Sequence, residues 1–431
     1  MRDNHSKLSI KSKKKKNIKM KETLSKIKPG KVEQEHFNKT NQQFLKKINS
    51  ELKEAKAVLG GSGAKDTWLA GNHDIDIFVQ YPYQKFKTKS AELSNLLEKV
   101  LNKAFPKHKL IRLHGSRDYF QLSFEKINFE VVPILKISQA EKAVNITDVS
   151  PLHALWVNKN LKGKKDEVRL AKQFFRANKL YGAESHINGF SGYVLEILTA
   201  KYGSFEKLLK ATLSWKIKEV IDVEKHYPKG DASFHLNKSK QVSPLIIIDP
   251  VDKNRNAAAA LDEEKFMLLK KIAQQYLKKP SDSFFEQKII NLEKLKKEAE
   301  KKKLNLLWIE VVPFNGKVDV IGVKLMKAYQ FLEKELTKFV IKNSNWDWNK
   351  FYFFLQKKEL EKFEIKSGPP LKLKPYVDDF KKKNKTTFIK NNKIMAKVAV
   401  KNPKLKNFVE NLVKDKYFSE KVKAVKEIKV F

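Results

Sequence analysis

The chain has 431 residues, 41% of them apolar with 28 Phe, 12 Tyr and 6 Trp, which is too long for one ordinary domain and too rich in core material for global disorder. Its 90 Lys and Arg against 49 Asp and Glu give a formal net charge of +41, an excess no fold requires, and point to a polyanionic partner: nucleic acid or an anionic membrane surface. The absence of cysteine excludes disulfides, thiolate metal sites and thiol nucleophiles.

Residues 1–33 are lysine-rich, with Lys13 to Lys16 consecutive, and read as a basic arm that is either flexible or a marginal first helix. No apolar stretch follows it as a signal peptide would need, and no apolar run reaches the roughly 18 residues of a membrane span. A cytoplasmic protein without a membrane partner is expected. Residues 34–58 carry Phe37, Phe44, Leu45, Ile48, Leu52 and Ala55 at helical spacing. After a glycine break at Gly60, Gly61 and Gly63, the stretch from His73 to Val79 alternates polar and apolar like a half-buried strand. Residues 90–104 read as a helix and 127–135 as another strand, so the first third is mixed α and β.

From 150 to 225 the pattern turns helical, through Val168, Leu170, Phe174, Phe175 and Leu180, then Tyr193, Leu195, Ile197 and Leu198. The short apolar run Leu245 to Ile248 ends at Asp249-Pro250, a stop signal. Residues 284–303 form a strongly charged helical pattern. Leu304 to Val312 and Lys350 to Leu355 have strand composition, with a long helical pattern from Val323 to Phe339 between them. Gly368-Pro369-Pro370 reads as a turn, and the lysine-rich residues after it as helical.

The chemistry concentrates between Gly61 and Asp76. Asp74 and Asp76 lie two apart on an expected strand, so both carboxylates leave the same face about 7 Å apart at Cα. Such a pair repels itself unless a cation sits between, and hard oxygen ligands suit Mg²⁺. Upstream, a Gly-Ser turn opening a helix offers backbone N–H groups and the Ser62 hydroxyl to an anion. A phosphate cradle beside metal-binding carboxylates is equipment for nucleotidyl transfer. Asp-x-Asp alone more often marks a strand with two exposed acids; the Gly-Ser followed at this spacing by Asp-Ile-Asp-Ile-Phe-Val is much more specific. There is no Gly-Lys-Ser/Thr and no Gly-x-Gly-x-x-Gly, so the P-loop and the dinucleotide fingerprint are absent.

Gly61-Ser62 with Asp74-x-Asp76 resembles the nucleotidyltransferase signature of the DNA polymerase β superfamily. With Thr67-Trp68-Leu69 it resembles, more narrowly, the archaeal (class I) CCA-adding enzymes, the tRNA nucleotidyltransferases. Asn178 to Glu184, Gly189 to Tyr193 and Tyr202 to Phe205 are similar to that family's helical neck. Asp249 to Asp252, Arg255-Asn256 and Gly368 to Pro370 are similar to later segments, in order.

The resemblance implies a multidomain α+β protein. It would have a basic arm (1–33), a polymerase-β-like nucleotidyltransferase head with a mixed sheet (34–145), a mainly helical neck that binds nucleotide (146–265), and a C-terminal α/β body and tail that bind RNA (266–431). The activity implied is addition and repair of the 3′-terminal CCA of tRNA from CTP and ATP. It would need no nucleic-acid template and would use two Mg²⁺ ions on Asp74, Asp76 and Glu130. Glu130 departs from the family, whose Asp-Val-Val-Pro is Glu-Val-Val-Pro here. The implied nucleotide ligands are Ser62, Lys65, His153, Lys172 and Tyr181 for the phosphates and Arg255 for the base. The partner would be tRNA, held by its acceptor and T-arm stem; a homodimer is compatible with the sequence. Another RNA-tailing polymerase, such as one adding poly(A), and a non-catalytic RNA-binding descendant remain as alternatives. Asp166 to Arg169 mimics a base-reading Asp-x-x-Arg motif of other CCA enzymes, but its place in the neck helix suits an i,i+3 ion pair. Phe351 to Phe354, Trp346 and Trp348 offer rings for base stacking, though a domain core is their commoner use.

Overall fold

The computed structural model describes residues 20–71, 74–228 and 232–431. Residues 1–19 of the expected basic arm, and His73 at the start of the expected strand, lie outside them. The chain divides into two compact units, with the division between Lys288 and Ile289.

The first unit opens with a helical stretch at residues 20–27 and continues with α1 (Lys31–Glu51), β1 (Lys56–Leu59), the five-residue helix α2 (Gly61–Lys65), β2 (Asp74–Pro82), α3 (Leu93–Ala104), β3 (Ile111–Leu113), β4 (Tyr119–Phe124) and β5 (Ile127–Lys136). The strands form one mixed sheet in the order β1-β2-β5-β4-β3, in which only β2 and β5 run parallel. Side chains alternate between faces along a strand. Ile75, Ile77, Val79 and Tyr81 of β2, with Ile127, Phe129, Val131 and Leu135 of β5, therefore enter one core, together with Phe44 and Ile48 of α1 and Leu93, Leu97 and Leu101 of α3. Phe44 stacks on Phe129 with ring centroids 3.9 Å apart. The other face of β2 carries Asp74 and Asp76, followed by Phe78 and Gln80. The expected alternation of this strand is what places both acids outside the core.

The neck contains α4 (Ser150–Asn160), α5 (Lys165–Ala177), α6 (Gly192–Tyr202), α7 (Phe205–Ser214) and α8 (Glu263–Lys278). It also contains a small sheet of β6 (Glu219–Asp222), β7 (Leu245–Asp249) and β8 (Asp252–Asn256), in which β6 and β7 are parallel. Every residue of β7 is buried, which explains its unbroken apolar run. One hydrophobic core joins the helices to Leu245 and Ile247 and continues through Phe266, Leu269, Ala273 and Tyr276 of α8 to Phe285. The division therefore falls after α8 rather than at the expected 265/266. Met20, Leu24 and Ile27 also pack against this core, so part of the expected arm is a docked helix whose apolar spacing is masked by lysines.

In the second unit, β9 (Asn305–Val312), β10 (Ile341–Asp347), β11 (Lys350–Leu355) and β15 (Ala424–Val430) form an antiparallel sheet in the order β10-β11-β9-β15. α9 (Leu292–Lys302) shares a core with Leu306, Trp308, Tyr352 and Phe354. α10 (Val318–Leu336) shares another with Leu307, Ile309, Phe351 and Phe353. Covered on both faces, β9 and β11 read as continuous apolar runs, and Phe351 to Phe354 are core residues rather than stacking platforms.

A second sheet, β12-β14-β13, comprises β12 (Phe363–Pro370), β13 (Thr387–Lys390) and β14 (Lys393–Ala399), with α11 (Lys374–Lys383) packed on β12. Gly368 to Pro370 is the irregular end of β12, with a register shift between Ser367 and Pro370, not the turn expected. The segment after it holds strands as well as helices, because lysines on exposed strand faces hide the alternation that marks β13, β14 and β15. α12 (Leu405–Leu412) supplies its clearest helix.

Candidate active site

Gly60 closes β1 onto the neighbouring strand, its N–H donating to the Asp76 carbonyl at 2.7 Å. Gly61 then turns with φ +51°, and a Cβ there would lie 1.6 Å from Asp76 Oδ2. This position needs glycine twice over, for the left-handed backbone and for the approach to the carboxylate. α2 follows, with Ser62 partly exposed on its first turn and Lys65 on its last. Arg169 fixes the loop beyond. Its Nε donates to the Trp68 carbonyl at 3.0 Å, its Nη2 to the Asp66 carboxylate at 2.6 Å, and its Nη1 to Asp166 at 2.7 Å. The Asp166–Arg169 pair is thus the structural ion pair expected.

Asp76 lies in register with Glu130 across the parallel pair, and Asp74 with Asn128. Burial first, then the charges of Glu130 and Asp74, push the Asp76 carboxyl up to about 6, against the pull of Lys65 and Lys172. A divalent cation would relieve that crowding, and the hard carboxylate oxygens fit Mg²⁺. That ion characteristically takes one or two carboxylates and completes its shell with phosphate and water. Among the described residues no three His, Asp or Glu are gathered closely enough to hold a metal ion, so Asp74, Asp76 and Glu130 do not form a closed three-carboxylate cluster. Glu130 Oε1 instead accepts from Gln121 Nε2 at 2.5 Å.

Lys65 of α2 and Lys172 of the neck bring cations to this platform of carboxylates. Lys65 Nζ lies 2.8 Å from Glu196 Oε2, and Lys172 Nζ 2.9 Å from Glu196 Oε1. Burial alone would raise the Glu196 carboxyl, but Lys172 and Lys65 outweigh it and hold it at about 2. A second buried carboxylate, Asp249, accepts from Arg255 Nη1 at 2.5 Å and from the Tyr193 hydroxyl at 3.0 Å, and lies 3.0 Å from His153 Nε2. Burial would raise Asp249 as well; His153 and Arg255 hold it at about 2. His153 is pushed down, chiefly by its own burial. Tyr193 links the two groups: its ring stacks on His153 at 4.1 Å and lies 5.2 Å beneath Lys65 Nζ. Tyr181 packs under Arg176 at 4.8 Å, and a Cβ on Gly192 would meet both the Tyr181 hydroxyl and Lys172.

Lys65 and Lys172 thus share Glu196, His153 and Arg255 share Asp249, and Tyr193 lies between the two pairs, while Tyr181 packs beside them; Lys65 and Lys172 also act on Asp76. Sequence reasoning missed Glu196 and the anchoring role of Asp249. The available signal for Glu196 was an acid inside the apolar run Val194 to Leu198.

A mixed sheet bearing paired carboxylates, a Gly-Ser turn against them and a cationic helical neck define a nucleotidyltransferase of the polymerase β type. Residues 41–148 match the nucleotidyltransferase domain family, and residues 166–286 match the second domain of tRNA nucleotidyltransferases. The CCA-adding enzyme of Nanoarchaeum equitans is 37% identical over 82% of this chain and 91% of its own length. That of Methanocaldococcus jannaschii is 33% identical over 88% and 86%. The chain belongs to the archaeal-type CCA-adding enzymes. Among solved structures, the Cid1 poly(U) polymerase aligns with a TM-score of 0.50 at 12% identity, covering 62% of this chain and 98% of that one, a likeness of fold alone. No described helix is long and apolar enough to cross a membrane.

Proposed function

We propose that this CCA-adding enzyme adds C, C and A to tRNA from CTP and ATP, without a nucleic-acid template, at one site between the Asp74–Asp76 platform and the neck cations. The observation that carries this reading is the convergence of Lys65 and Lys172 on a single carboxylate within electrostatic reach of Asp76. Asp74, Asp76 and Glu130 would hold two Mg²⁺ ions, which when bound acidify the tRNA 3′-hydroxyl and neutralise the leaving pyrophosphate. Ser62, Lys65, His153, Lys172 and Tyr181 bind and orient the triphosphate for in-line attack, so catalysis comes mainly from positioning and charge neutralisation. The second unit holds the acceptor and T-arm stem through its lysines, recognising A-form shape rather than sequence.

Glu130 serves despite its extra methylene. Glu130→Gln is expected to lower turnover about 100-fold or more, because a neutral amide of the same shape replaces a charged metal-ligand oxygen. Unchanged turnover at saturating Mg²⁺ would make the residue incidental.

Arg255 is anchored by Nη1 on Asp249 and still has 32% of its side chain exposed, enough to face a base. Cytosine and adenine each present a ring-nitrogen acceptor on the pairing edge, where uracil presents N–H, so a guanidinium aimed there favours C and A. The test is competition of CTP, ATP and UTP on tRNAs lacking one, two or all three terminal nucleotides. Wild type should add only the missing C, C and A, and Arg255→Ala should incorporate UTP. An Arg255→Ala enzyme that rejects UTP as strongly as wild type would remove the base-reading role.

A further inference from the structure

Glu196 sits in the middle of α6 between Leu195 and Ile197, with only 1% of its surface exposed. A carboxylate in such surroundings is costly unless it is paired, and packing alone would be better served by Leu or Met. Its oxygens are divided between two parts of the fold. Oε2 accepts from Lys65 of α2, beside the catalytic strand. Oε1 accepts from Lys172 of the neck helix α5 and, at 2.6 Å, from the Thr67 hydroxyl. Lys172 also donates to Thr67 Oγ1 at 2.8 Å and to the Thr67 carbonyl at 3.1 Å, closing the cluster. Two ammonium groups on one carboxylate leave a surplus positive charge next to the Asp76 platform.

We infer that Glu196 is a positioning residue for nucleotidyl transfer, fixing the Lys65 and Lys172 ammonium groups where the triphosphate must be met and tying head to neck at that point. The inference rests on the reading of those lysines as triphosphate ligands. A lysine is a point charge on a flexible stem, so a partner that fixes it in advance removes ordering that binding would otherwise have to supply.

The experiment is a double-mutant cycle between Glu196→Gln and Lys172→Met, measuring KM and kcat for CTP and ATP together with thermal melting. Glu196→Gln should raise KM about tenfold with a smaller change in kcat, and should raise it by clearly less, about threefold, in the Lys172→Met background, where only its contact with Lys65 remains to be lost. Full additivity, or a lower KM from removing an opposing negative charge, would overturn the inference. If Glu196→Gln does not fold, Thr67→Val removes the bridging hydroxyl at nearly constant volume. It should raise KM about threefold, since the ammonium loses one hydrogen bond of the cluster. An unchanged KM in the folded Thr67→Val enzyme would equally overturn it. If Lys172→Met alone leaves KM unchanged while wild type adds nucleotides normally, the reading of the lysine as a phosphate ligand falls, and this inference with it.

Discussion

Asp76→Ala is expected to abolish addition of C and of A together, with a loss of at least ~1,000-fold at each step, comparable to removing a principal source of transition-state charge stabilisation. Asp76 stands at the centre of the charged platform: Glu130 faces it across the sheet, Asp74 lies two residues away, and Lys65 and Lys172 act on it from the other side. Substitution by alanine removes a hard oxygen donor and leaves both lysines closer to uncompensated. One site serves every addition in this account, so the two activities must fall together. A variant that kept C addition near wild type while losing A addition would separate the sites and defeat the shared-site reading.

Gly61→Ala is expected to lower turnover by ~100-fold or more, because a displacement of about an ångström at a catalytic group is enough for that. The new Cβ would fall 1.6 Å from Asp76 Oδ2, so either the carboxylate or the turn must move. The left-handed backbone adds a cost of about 1–2 kcal/mol for a residue bearing a Cβ. Gly71→Ala separates these effects. Gly71 also has a positive φ, +74°, but a Cβ there would meet nothing within 4 Å. It should lose comparable stability in thermal melts and keep turnover within about threefold, since only the backbone cost applies. Equal losses of turnover in the two variants would mean that backbone strain, not approach to Asp76, explains Gly61.

The catalytic strand was legible in the sequence because its alternation is imposed by one core on one face: Ile75, Ile77 and Val79 had to be buried, and that left Asp74 and Asp76 together on the other. The neck helices were legible for the same reason, through Phe174, Phe175, Leu195 and Leu198. Lys65 and Lys172 were not distinguishable among 90 Lys and Arg until the resemblance selected them. Their shared partner, Glu196, lies 131 residues from Lys65, and no local pattern encodes that distance. Asp249 was visible as the end of an apolar run but not as the anchor of His153 and Arg255, whose approach the small neck sheet brings about. Elsewhere, lysine density hid apolar spacing, both in the docked helix at Met20, Leu24 and Ile27 and in the strands after Pro370.

The most direct test of the shared site is a crystal structure with tRNA ending in CC, a non-hydrolysable ATP analogue and Mn²⁺ in place of Mg²⁺, read by anomalous scattering. Mn²⁺ signal is expected at Asp74 and Asp76, with the triphosphate within hydrogen-bonding distance of Lys65 and Lys172. A triphosphate bound away from both lysines, or Mn²⁺ signal away from both aspartates, would contradict the shared site.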